Sequence, residues 1–73
     1  MKDRTVQTAC GLLQDLCDDP IDLADPVSTI DSLTVLEWVF VLEEAFETPV
    51  DESVVEGIDR TMTIQRVAEL LLS

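Results

Sequence analysis

Apolar residues recur every three to four positions in three stretches of this chain, and Pro20, Pro26 and Pro49 fall in the gaps between them. That period belongs to a helix with one buried face, and no segment alternates as a half-buried strand does. In the first stretch, from about Asp3 to Asp18, the stripe is Val6, Ala9/Cys10, Leu13 and Leu16/Cys17, and Asp18-Asp19-Pro20 stops it. Residues 19–30 make a loop with Ile21, Leu23, Val27 and Ile30 as apolar pins. A connection of that length is often functional. The second helix takes Asp31 as its N-cap and runs to about Glu47, where Thr48-Pro49 ends it. Asp51 to Glu56 make a short helix closed by Gly57, and Thr63 caps a last one whose stripe is Ile64, Val67, Ala68 and Leu71. The expected fold is all-α, a small bundle of three main helices plus one short third helix, in a single domain over residues 1–73.

At 73 residues the core can supply only a few kcal/mol of net stability. Folding also works against charge: sixteen acids and four bases give a net charge of −12. Lys2, Arg4, Arg60 and Arg66 are the only bases, and fourteen of the acids lie from Thr5 to Asp59, where there is no base. Stability should therefore rise with salt. A surface of this sign repels nucleic acid and anionic lipid and steers toward basic protein partners. No apolar stretch is long enough to span a bilayer, and Met1-Lys2-Asp3 does not open a secretory signal. A cytoplasmic monomer is expected. On one helix Cys10 and Cys17 would stand two turns apart, about 10 Å, too far to bridge, so two buried reduced thiols are expected.

Catalysis has little to work with. The chain has no His, no Tyr and one Lys at its start, so no nucleophile–base pair is available. Asp18, Asp19, Asp22 and Asp25 lack the turn glycine and closing Glu of a calcium loop, and read as solvated carboxylates with no metal role.

The second helix has two faces at about 100° per residue. Val35, Trp38, Val39, Leu42, Ala45 and Phe46 form a core face. Leu33, Glu37, Phe40 and Glu44 cluster within roughly 60° on the other side. The plain reading of that side is a solvated surface with stray hydrophobes. The alternative is a docking strip, with Leu33 and Phe40 filling pockets and Glu37 and Glu44 meeting Arg or Lys of a partner. Ser32 stands at the head of this helix, beside the capping Asp31. The first-turn N–H groups favour an anion there by roughly 0.3–1 kcal/mol at an exposed site. On these grounds alone Ser32 is either a good first-turn residue or a place where an anionic group is tolerated.

The segment from Asp31-Ser32-Leu33 through Glu47 resembles the Asp-Ser-Leu helix of acyl carrier proteins. The likeness includes the acids Asp31, Glu37, Glu43, Glu44 and Glu47 and the apolar Leu33, Leu42 and Phe46. The order of helices resembles that family across nearly the whole chain. The resemblance implies that Ser32 carries 4′-phosphopantetheine through a phosphodiester, added from coenzyme A by a separate Mg²⁺-dependent phosphopantetheinyl transferase, with Asp31 beside it. It further implies that the terminal thiol holds acyl or aminoacyl cargo as a thioester, and that Leu33, Glu37, Phe40 and Glu44 contact loading and acceptor enzymes. The chain departs from the family in three places. Thr29-Ile30 stands where a Gly is common before the motif, and the Gly-Gly pair that precedes the serine of peptidyl carriers is missing. The segment between Val50 and Thr63 is a few residues longer than in fatty-acid carriers. Trp38 replaces a smaller aliphatic residue, which bears on whether a long acyl chain can enter the bundle. The missing Gly-Gly pair weighs against an ordinary modular peptidyl carrier, while the short chain, single ungapped domain and atypical lead-in to the serine lean toward polyketide- or nonribosomal-type specialised metabolism over fatty-acid synthesis. An acidic helical interaction module without a prosthetic group is the alternative from a different class.

Overall fold

The computed structural model describes residues 5–72, and Asp3, the expected start of the first helix, lies outside them. The described chain forms four helices and a single 3₁₀ turn: α1 Val6–Leu16, the turn Val27–Thr29, α2 Ser32–Phe46, α3 Glu52–Glu56 and α4 Ile64–Leu72. The protein is all-α. Among the described residues no helix is long and apolar enough to cross a membrane.

Each start is capped as its residue types allow. The Thr5 hydroxyl accepts the Thr8 N–H at 3.1 Å, Asp31 accepts Leu33 N–H at 2.9 Å, Asp51 accepts Ser53 N–H at 2.9 Å, and Thr63 accepts Arg66 N–H at 3.2 Å. α1 stops two residues earlier than its apolar spacing predicts. Cys17 is already extended (φ −107°, ψ 141°). The Gln14 amide reaches over it and clamps the chain beyond, donating to the Asp19 carbonyl at 2.9 Å and accepting Ile21 N–H at 2.8 Å. Cys17 is therefore half-buried at a helix end, while Cys10 is buried as expected. Both thiols are free. Burial pushes both thiol pKa values up, and Asp18 and Asp19 push Cys17 further, so neither favours the reactive thiolate.

α2 ends in a left-handed residue that is not glycine, Glu47 at φ 52°. Glu43 anchors the chain beyond it: its carbonyl accepts Thr48 N–H at 3.2 Å and its carboxylate accepts Val50 N–H at 3.1 Å. Gly57 closes α3 as expected, but in the right-handed region (φ −80°). Its value there is steric, because a Cβ would sit 3.3 Å from the Ser53 carbonyl oxygen.

The loop after α1 is zipped to the far end of the chain. Val27 N–H bonds the Met62 carbonyl at 2.7 Å and Ser28 N–H bonds the Arg60 carbonyl at 3.1 Å. In return, Ile64 and Gln65, in the first turn of α4, donate to the carbonyls of Asp25 and Leu23 at 3.0 and 3.1 Å. First-turn donors of α4 that would otherwise lack partners thus bond the loop, which fixes the entry into α2.

Trp38 is fully buried at the centre, where α1 packs against both α2 and α4. Its indole N–H donates to the Ala9 carbonyl on α1 at 2.8 Å, so the largest core side chain is also fully satisfied. Val35, Val39, Leu42 and Phe46 surround it from α2, while Ala45, expected in this group, is only half-buried. Val27 and Ile30 complete the core from the loop, with Ile21 and Leu23 packed at its edge. α3 buries no residue fully and leans on the core through Val54 and Val55.

Gly11 lies mid-helix in α1 and is exposed, and a Cβ there would meet nothing within 4 Å. Gly11→Ala should therefore raise stability by about 0.5–1 kcal/mol. A rise in the urea midpoint at unchanged slope checks this.

Candidate functional site

Ser32 is the first residue of α2 and is exposed, and among the described residues no hydrogen bond involves its hydroxyl. Asp31 fixes this position. Its carboxylate takes Leu33 N–H at 2.9 Å and its carbonyl takes Val35 N–H at 3.0 Å, which leaves the Ser32 side chain free of the capping role. The first turn of α2 contains no acid. The capping Asp31 is thus the one carboxylate next to Ser32 in sequence, and none follows it in the first turn.

A groove of about 210 Å³ opens beside Ser32, with Val35, Leu36, Val55, Ile58 and Arg60 as its other walls. None of these groups can take a proton from the hydroxyl. A neighbouring groove of about 280 Å³ shares Leu36 and Val55 and runs on past Phe40 to Val50. The two grooves thus meet at a shared apolar wall of Leu36 from α2 and Val55 from α3.

The four side chains expected to form a docking strip are all on the surface. Leu33 and Phe40 are 70% and 68% exposed, and Glu37 and Glu44 are exposed beside them. Leu36, 45% exposed, belongs to the same surface, at the edge of the roughly 60° sector of the strip. Its spacing of three from Leu33 and four from Phe40 is the signal that includes it.

Asp31 also lines a groove on the other side, of about 360 Å³, with Asp18, Asp19, Asp22 and Asp25 around it. All five carboxylates are exposed, and among the described residues no three His, Cys, Asp or Glu side chains converge as metal ligands.

Arg60, in the connection between α3 and α4, joins the site without any motif to announce it. Its Nη2 donates to the Ile30 carbonyl at 2.8 Å, just ahead of Asp31-Ser32. The other described arginine, Arg66, pairs with Glu69 at 3.3 Å, whereas Arg60 has no acid partner among the described residues. Beside it Asp59 accepts both the N–H and the hydroxyl of Thr61 at 2.8 Å, which holds its carboxyl below the usual carboxylate range. A depressed folded value contributes stability above the ordinary carboxylate value, lost as pH falls through the folded one. Asp59→Asn should accordingly unfold less steeply than the wild type below about pH 4, as followed by circular dichroism during acid titration.

No protein-family model matches the chain, and no curated protein or solved structure is significantly similar to it.

Proposed function

We propose that the chain is a carrier protein of the acyl-carrier type, modified on Ser32 with 4′-phosphopantetheine. The observation that carries this reading is the state of Ser32: an exposed hydroxyl with no intramolecular bond, at the head of α2, above an acid-flanked apolar strip. The residues fit the group. An open groove lies beside the hydroxyl and no acid lies in the first helical turn. When bound, the group supplies a thiol on a long arm, which holds cargo as a thioester.

Attachment forms a bond from the Ser32 oxygen to phosphorus while the diphosphate of coenzyme A breaks and adenosine bisphosphate leaves. The hydroxyl proton goes to the partner transferase, because the chain offers no base at this groove. Asp31 holds the helix start that presents Ser32. Leu33, Leu36 and Phe40 give a partner enzyme apolar contacts, and Glu37 and Glu44 steer its basic surface into register. The cargo is an acyl or aminoacyl unit of a specialised biosynthetic pathway, with fatty-acid synthesis as the second carrier reading. The all-α bundle, with Ser32 at the head of its longest helix, is compatible with this role.

The exposed apolar strip also favours a different class, an acidic interaction module with no prosthetic group. Incubation with coenzyme A and a broad-specificity transferase separates the two. The carrier gains the mass of one arm; a folded protein that gains nothing is the interaction module.

A further inference from the structure

One cation stands beside Ser32 in a protein otherwise dominated by carboxylates, and among the described residues it makes no ion pair. Arg60 shares the groove wall with Ser32, and its Nη2 is tied to the Ile30 carbonyl at 2.8 Å. Ile30 precedes Ser32 by two residues, so this bond holds the guanidinium within about 10 Å of the Ser32 Cα by chain length. Asp31 lies between them in sequence, yet its carboxylate is engaged with Leu33 N–H and makes no ion pair with Arg60. The remaining guanidinium donors are left without a described carboxylate in a chain of net charge −12.

We propose that Arg60 is the positioning residue for the phosphodiester on Ser32, pairing with its anionic oxygens and laying the first part of the arm along the Val35–Ile58 wall of the groove. This rests on the carrier reading above. The chemistry selects the phosphodiester over the cargo. The diester is joined directly to the Ser32 oxygen and must lie near this groove, whereas the thioester stands at the far end of the arm. A guanidinium also matches a phosphate's oxygens in geometry as well as in charge. The tether to Ile30 fixes the fork before the anion arrives, which lowers the ordering cost of the pair.

The test compares wild type, Arg60→Gln, Arg60→Lys and Arg66→Gln, each loaded from coenzyme A and observed by phosphorus NMR. In the wild type the diester resonance should be displaced at low salt. It should return toward the position of a free diester at about 1 M salt, where the screening length is about 3 Å. Arg60→Gln should lose both the displacement and its salt dependence, and Arg60→Lys should recover part of them. Arg66→Gln, which removes the same charge from α4, should match the wild type. An Arg60→Gln spectrum with the wild-type displacement and salt response overturns the proposal, and so does an equal loss in Arg66→Gln. Should Arg60→Gln be too unstable to load, the wild type decides, because a resonance that does not move with salt also overturns it. Failure of the carrier reading looks different: the wild type gains no mass, and there is no phosphorus signal to follow.

Discussion

Trp38→Ala should cost about 3–5 kcal/mol, the range for deleting a buried aromatic side chain. A chain of 73 residues has only a few kcal/mol in all, so the variant should be largely unfolded under mild denaturant. The effect is large because Trp38 is the largest fully buried side chain and ties α2 to Ala9 of α1 through its indole N–H. Its loss leaves a large void among the fully buried side chains of the core. Trp38→Phe should cost less, about 1–2 kcal/mol, since it keeps most of the ring volume and gives up the bond to Ala9. Trp38 is the only tryptophan, so circular dichroism in urea, and not fluorescence, is the common probe for both. A loss below about 1.5 kcal/mol for the alanine variant, outside the range for buried aromatics, would contradict a core centred on this residue.

Phe40→Ala should behave in the opposite way. The side chain is 68% exposed, so its loss should change stability by no more than about 0.5 kcal/mol. Under the carrier reading the same change removes an apolar anchor for partner enzymes. Truncating such an anchor costs about 2 kcal/mol or more, roughly a thirtyfold drop in the rate of transfer to or from a partner at subsaturating concentration. Leu33→Ala should act in the same sense. Reversing the charge of Glu37 or Glu44 adds a different signature: transfer should slow more at low salt than at high salt, because exposed charges steer encounter over a screening length. Stability should rise slightly in these charge reversals, since each relieves the repulsion of a net charge of −12. A fall in transfer alongside a gain in stability cannot come from a damaged fold. Equal rates at both salts would count against steering by these acids.

The helices most visible in the sequence are those whose ends are marked by local chemistry. Asp31 and Thr63 cap α2 and α4 through bonds to N–H groups two and three residues away, so the starts are written in the residues themselves. The end of α1 is hidden from such a reading because Cys17 continues the apolar spacing, while the bonds that stop the helix run from Gln14 to Asp19 and Ile21. The site divides in the same manner. Ser32, Leu33, Glu37, Phe40 and Glu44 share one helix, and helical geometry alone places them on its exposed surface. Arg60 is out of reach of such reasoning. Its partner Ile30 lies thirty residues away, and only the zipping of Val27 and Ser28 to Met62 and Arg60 brings the two segments together.

The most direct test of the carrier role is intact-mass spectrometry of wild type and Ser32→Ala, each incubated with coenzyme A and a broad-specificity transferase, with peptide mapping of any product. One arm is expected on the wild type, located on Ser32 and not on Ser28 or Ser53, and none on the variant. Ser32→Ala should remain folded, because no hydrogen bond of its hydroxyl supports α2. A folded wild type that gains no mass, or an arm that still attaches to Ser32→Ala, would contradict a carrier built on this serine.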